Sequence, residues 1–455
     1  MSVPAVVIAA PASGSGKTTV ATGLIGALRR AGRAVAPFKV GPDFIDPGYH
    51  ALAARRPGRN LDPVLVGDQQ IGPLYRHGSS GADIAVVEGV MGLFDGRIEA
   101  NTAGLAQGST AHVAALLGAP VVLVVDARGQ SHSIAALLHG FSTFDSSVRL
   151  AGVILNRVGS PRHEDVLRQA CEHAGVAVFG AIPRSDELSV PSRHLGLVTA
   201  VEHGKQATAA VEAMTALIGR HVDLVGLAAV ASSHVTDAPW DPAVTAPVGA
   251  QVTVALAAGK AFSFGYTEHG EMLRAAGADV VEFDPLTDPL PAHTGALVLP
   301  GGFPEQFGGE LSANDLVRQQ IRELAGAGAP VHAECAGLTY LVDELDGNPM
   351  CGVLAGSARF TDRLTLGYRE AVAVADSSLY SIGDRTMGHE FHRTTVSFSD
   401  SYPPAWVYRG RDVDSVRDGA VHGGMHASYL HTHPAAHPQA MTRFVAAAAT
   451  SKLAG

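Results

Sequence analysis

AVVIAAPASGSGKTTV, residues 5–20, is the stretch whose reading decides the fold. A short apolar run ends at Ala10, a glycine-rich turn follows, and Lys17, Thr18 and Thr19 open an amphipathic stretch that stops near Gly32. Strand, loop and helix in that order aim backbone N–H groups at one point, where phosphate is cradled by the helix N-terminus. Gly14, Ser15, Gly16, Lys17, Thr18 and Thr19 are therefore read as a nucleotide-binding segment, with Lys17 as the point charge toward the transferring phosphate and Thr18 as a Mg²⁺ ligand. The Walker A pattern opens with glycine; the corresponding position here is Pro11.

Outward from that loop, ADIAVVEG, APVVLVVDA, LAGVILNRV and AVFGAIPR are short apolar runs alternating with amphipathic stretches. This βα alternation predicts a doubly wound parallel sheet covered by helices on both faces. Residues 236–250, TDAPWDPAVTAPVGA, hold three prolines and show no periodicity, so they read as a linker between domains over 1–235 and 251–455. After it QVTVALAAG, ADVVEF, TGALVLPGG and GAPVHAEC begin a second parallel α/β unit.

Composition narrows the class. The chain has 455 residues, 46% of them hydrophobic and 17% charged, with a formal charge of -10, which suits a globular protein and lacks the basic footprint of a nucleic-acid binder. Its opening residues have no basic n-region, and their apolar run of about eight residues is short of a signal or membrane-spanning segment, so a cytoplasmic enzyme is expected. Three widely spaced cysteines, Cys171, Cys335 and Cys351, argue against a disulfide framework.

Two features carry further chemistry. FKVGPDFIDPGYH brings Lys39, Asp43 and Asp46 into one turn, and the next buried strand ends at Glu88 with Asp95 shortly after. Acidic residues at the carboxyl ends of parallel strands beside a phosphate loop are suited to metal binding and substrate activation: Asp46 and Glu88 are read as metal ligands with Thr18, and Lys39, Asp43 and Asp95 as activating groups. In the second half, APVHAECAGLTYL predicts a strand, a sharp turn at Cys335 and a helix, flanked by small Ala333 and Gly337. That nucleophile-elbow layout exposes a thiol whose pKa the helix N-terminus is expected to lower, with Gly301, Gly302 and Ala336 as oxyanion donors. Among the five histidines of residues 421–438, VHGGMHASYLHTHPAAHP, the SYLHTH segment makes His431 the candidate base, whereas His422, His426 and His437 read as loop residues.

APASGSGKTT, KVGPDFIDP, VEGVMGLFDG, GVILNRV, PSRHLGL, LPGGFPE, AECAGLTYL, GHEFHRT and SYLHTH, in this order, resemble the cobyrinic and hydrogenobyrinic acid a,c-diamide synthase family over nearly the whole chain. The resemblance implies a dethiobiotin-synthetase-like P-loop domain followed by a class I-type glutamine amidotransferase domain. It further implies ATP- and Mg²⁺-dependent conversion of corrin acetate carboxylates to amides through acyl phosphates, with glutamine as nitrogen donor and a possible homodimer. Cys335 and His431 then correspond to the glutaminase pair, Asn156 of LNRV resembles an adenine-reading residue, and Arg193 and Arg369 suit the many carboxylates of such a substrate. An amidotransferase triad places an acid two residues beyond the histidine; that position is His433 here, so a dyad or an acid from elsewhere must orient His431. The related cobyric acid synthases, which amidate other side chains, are the nearest alternative, and GPDFIDP and PSRHLGL favour the a,c-diamide branch. Ammonia passing from one active site to the other is expected to need a closed route.

Overall fold

The computed structural model describes residues 2–98, 104–184, 192–193, 196–197, 199–243, 251–410 and 414–453. The chain divides into two compact units, Met1–Trp240 and Asp241–Gly455. The expected linker therefore falls partly on the first unit: Trp240 is buried, its N–H donates to the carbonyl of Pro73, and its ring meets His77 edge-on. Of the remainder, 241–243 begin the second unit and 244–250 lie outside the described residues.

The first unit is built on seven parallel strands: β1 (Ala5–Ala9), β2 (Val35–Val40), β3 (Arg59–Leu61), β4 (Ile84–Glu88), β5 (Val121–Asp126), β6 (Leu150–Val158) and β7 (Val178–Pro183). Their order, β3-β2-β4-β1-β5-β6-β7, puts the phosphate-loop strand at the centre. β1 and β4 are buried from end to end and β5 up to its terminal Asp126, which is why they read as continuous apolar runs with no alternation. Two registers place the chemistry: Ile8 and Lys39 both lie beside Glu88, so the ends of β1, β2 and β4 converge at the first turn of the helix Lys17–Arg30.

The second unit holds a six-stranded sheet. Its strands run in the order Ala278–Phe283, Val252–Ala257, Thr294–Leu299, Val331–Glu334, Met425–Ser428 and Ala420–His422, and all neighbouring pairs are parallel except the last, an antiparallel hairpin. Beside it lies a second, mixed sheet that the sequence reading did not anticipate. Two long antiparallel strands, Leu354–Ala373 and Arg385–Phe398, dominate that sheet, and the short strand His431–Thr432 closes its edge. His431 thus sits where the chain leaves the parallel sheet at Ser428 and joins the antiparallel one.

Candidate active site

In the first unit the loop between β1 and the helix Lys17–Arg30 needs two left-handed residues, Gly14 at φ 79° and Gly16 at φ 97°. Gly16 is constrained twice over, because a Cβ there would lie 2.4 Å from Asn156 Nδ2. Asn156 itself donates from Nδ2 to the Ser15 carbonyl at 2.9 Å, while its Oδ1 accepts the N–H of Arg157. Its carboxamide therefore braces the phosphate loop. Ser15 Oγ closes the loop further by donating to the Ala12 carbonyl, and Thr19 follows on the helix's first turn.

Thr18, Asp46 and Glu88 come together as the sequence predicts. Thr18 Oγ1 donates to Glu88 Oε1 at 2.6 Å and to Asp46 Oδ2 at 3.3 Å. Between the two carboxylates lies the ammonium of Lys39, 2.7 Å from Asp46 Oδ2 and 3.1 Å from Glu88 Oε1, with the Gly89 carbonyl as a third acceptor. Burial alone would drive the Lys39 proton off, but the paired carboxylates overcome it and hold the ammonium charged well above its usual range. The carboxylates diverge: burial and the neighbouring Asp43 and Glu88 push Asp46 up to about 7, whereas Glu88 stays far below the ordinary range because Lys39, His50 and Thr18 outweigh its burial. His50, which the sequence reading passed over, lies with Nε2 2.7 Å from Glu88 Oε2.

Asp43 and Asp95 stand one step back. Asp43 Oδ1 accepts the N–H groups of Ile45 and Asp46 at 2.7 and 2.9 Å and so holds the turn that leads into the helix Asp46–Ala54. Asp95 Oδ2 accepts the Gly92 N–H at 3.0 Å. Lys17 donates to the carbonyl of Met91 at 2.5 Å, and burial lowers its pKa. Arg193 lies on a two-residue strand, but its side chain is outside the described residues. Arg369 is committed internally: its Nε is 2.5 Å from Glu390 Oε2 and its guanidinium lies over the Tyr408 ring.

Thr18, Asp46 and Glu88 offer the oxygen donors that a hard divalent ion takes, with Glu88 Oε2 held by His50 and Oε1 shared between Thr18 and Lys39. Among the described residues no three His, Cys, Asp or Glu side chains converge on a metal position. Such an ion would accordingly rest on two carboxylates, one hydroxyl and the nucleotide phosphates, the usual arrangement for Mg²⁺.

In the second unit Cys335 has φ 50° and ψ -99°, the strained turn of a nucleophile elbow, between the strand Val331–Glu334 and the helix Ala336–Leu341. The backbone N–H groups of Gly302 and Ala336 act on its sulfur. Gly301 is a correction: its N–H donates to the Phe264 carbonyl at 3.2 Å, while its own carbonyl accepts the Phe264 N–H at 3.0 Å, so its N–H is not free to serve an oxyanion. The expected lowering of the thiol pKa is also reversed. Burial, reinforced by Glu305, pushes the Cys335 thiol up and outweighs the two N–H groups, so the thiol needs a base to give up its proton.

His431 is fully buried and lies against Gly301, where a Cβ would be 2.2 Å from its Cε1. The three histidines read as loop residues part company. His426 occupies the buried strand Met425–Ser428 between Trp406 and Tyr380, which is core packing; His437 meets Tyr380 edge-on; and His422 is exposed. Glu334 was hidden in sequence within AECAGLTYL. Its carboxylate is 3.6 Å from His431 Nδ1.

A phosphate-loop unit joined to a thiol amidotransferase unit defines a glutamine-hydrolysing amidoligase. Residues 6–198 match the model of the CobQ/CobB/MinD/ParA nucleotide binding domain, and residues 253–439 that of the CobB/CobQ-like glutamine amidotransferase domain. The chain is 73% identical to the hydrogenobyrinate a,c-diamide synthase of Mycobacterium tuberculosis (strain ATCC 25618 / H37Rv), over 99% of both chains. It is 53% identical to the enzyme of that name from Streptomyces coelicolor, over 99% of this chain and 98% of the other, and 38% identical to the cobyrinate a,c-diamide synthase of Synechococcus sp., over 97% and 98%. The chain belongs to the a,c-diamide synthase family. No helix among the described residues is long and apolar enough to cross a membrane.

Proposed function

We propose that this chain amidates the a and c acetate carboxylates of hydrogenobyrinic acid, using ATP for activation and glutamine as nitrogen donor, in the cytoplasm. The full-length identity to enzymes of that name carries the substrate, and the coexistence of a braced phosphate loop with an elbow cysteine carries the chemistry.

A carboxylate does not exchange oxide for ammonia in water, so the oxygen must first become a leaving group. The phosphate loop and Lys17 hold the ATP phosphates while the acetate oxygen takes the γ-phosphoryl group, giving an acyl phosphate and ADP. Bound at Thr18, Asp46 and Glu88, Mg²⁺ would supply charge neutralisation on the phosphates. Lys39 fixes the positions of those two carboxylates. Ammonia then attacks the acyl carbon and phosphate departs.

Glutamine supplies the ammonia. Cys335 gives its proton to His431 and attacks the side-chain amide carbon, and the oxyanion is received by the N–H groups of Gly302 and Ala336. His431 returns the proton to the leaving nitrogen, and water hydrolyses the thioester to glutamate. Incubation of the pure protein with hydrogenobyrinic acid, ATP, Mg²⁺ and glutamine should give a product two amidations removed in mass, with two ADP per product. An unchanged mass with hydrogenobyrinic acid, or amidation at other side chains, overturns the reading.

A further inference from the structure

Residue 433, where an amidotransferase acid is expected, is a buried imidazole engaged elsewhere. His433 accepts the Ala435 N–H through Nδ1 at 3.2 Å and its ring lies 4.4 Å from that of Tyr266. A carboxylate reaches His431 from another direction. Glu334, the residue immediately before the nucleophile, ends the strand Val331–Glu334 and is paired in register with Ser428. Its Oε1 accepts two bonds from Thr432, the N–H at 3.0 Å and Oγ1 at 2.8 Å, and its Oε2 lies 3.6 Å from His431 Nδ1. Because one oxygen is clamped by the residue that follows His431, the other is held facing the imidazole.

We propose that Glu334 is the positioning residue of the glutaminase, replacing the absent acid by fixing His431 with Nδ1 protonated and Nε2 turned to the substrate side. The assignment rests on the reading of Cys335 and His431 as the glutaminase pair. A buried carboxylate on Nδ1 selects the tautomer and stabilises the imidazolium formed when the thiol proton arrives. Glu334 stays ionised: burial acts to raise its pKa, but His332 and His431 together bring it well below the ordinary range. The acid and the nucleophile are consecutive residues, Glu334 ending the strand Val331–Glu334 and Cys335 forming the strained turn that follows it.

Other charged and titratable groups face this pair. His332 Nε2 is 3.4 Å from Glu334 Oε1, His389 is paired with His431 across the antiparallel strands, and His269, His426 and Tyr380 all feel the Glu334 charge, while Glu305 acts on the thiol. None of these reaches His431 Nδ1 with a clamped carboxylate oxygen.

The test uses the full chain with Glu334→Gln, Glu334→Asp and His433→Gln beside the wild type, each assayed for glutamine hydrolysis and for amidation driven by ammonium. Glu334→Gln is expected to lower kcat for glutamine at least about 100-fold, hold KM within about threefold, and move the acid limb of kcat/KM to lower pH by about a unit. Ammonium-driven amidation should be unchanged. Glu334→Asp, whose shorter arm retreats from Nδ1, should lose about tenfold in kcat but restore the acid limb. His433→Gln should leave the acid limb in place. An unmoved acid limb with kcat within about threefold of wild type in Glu334→Gln overturns the proposal, as does equal loss of both activities, which would mark a structural role. Where Glu334→Gln does not fold, an undiminished kcat in Glu334→Asp overturns it instead. Should Cys335→Ser retain glutamine hydrolysis, the glutaminase reading itself fails, and that outcome is distinct from all of these.

Discussion

The imidazole of His431 lies directly against Cα of Gly301, with room for a hydrogen and nothing larger: a Cβ would sit 2.2 Å from Cε1. The backbone of Gly301 is not left-handed, so alanine is conformationally acceptable there and the clash is purely steric. Gly301→Ala should therefore displace the base and reduce glutamine-driven turnover by about 100-fold or more while ammonium-driven turnover persists. Parallel assays with the two nitrogen sources check this, and equal rates with glutamine in variant and wild type contradict it.

Cys335→Ser removes the nucleophile at the cost of one atom's polarisability. The expected outcome is loss of glutamine-dependent amidation with ammonium-dependent amidation intact, followed by product mass. Loss of both would mean that the two halves do not divide the labour as proposed.

Lys39→Met would leave Asp46 and Glu88 buried without their shared counter-charge. Breaking such a pair by removing one partner costs about 3–5 kcal/mol, so the first unit should unfold at markedly lower urea. The two tryptophans fall one in each unit, Trp240 and Trp406, so a Trp406→Phe background lets Trp240 fluorescence follow the first unit alone. Amidation should be lost with either nitrogen source.

Acid should weaken the second unit well before its carboxylates are all protonated. Burial holds His269, His389 and His426 neutral and brings each down to about 3. The unfolded chain takes up protons at these positions near pH 6.5 and the folded one does not, so stability is complete above about 6.5 and declines toward 3. Each histidine contributes up to about 1.4 kcal/mol per pH unit within that window. Urea titrations of a Trp240→Phe variant at pH 7.5, 6 and 5 would follow Trp406, whose ring meets His426 edge-on at 5.1 Å. A midpoint constant across that range contradicts the assignment.

The legible parts of this molecule are those where one local pattern determines the geometry. Ala5 to Thr19 and Val331 to Leu341 each combine a buried strand, a turn and a helix N-terminus, so the phosphate loop and Cys335 could be placed from residue order. Glu334 could not: its partner Thr432 is 98 residues away, and nothing local distinguishes it from any acidic residue ending a strand. Gly301 was misread for a related reason, since its N–H is taken by Phe264 through a non-local bridge. The long strands Leu354–Ala373 and Arg385–Phe398 escaped because their burial does not alternate, and a sheet half in water on an irregular schedule leaves no period-two signature. Arg369 looked like a substrate contact because its pairing to Glu390 arises from neighbouring strands.

Lys39 has one more consequence. An ammonium carried by the chain itself, seated between Asp46 and Glu88, offsets the repulsion between two buried acids whatever ions the surroundings contain. The shape of this pocket is thus inherited from the fold and does not wait on a bound cation to be set.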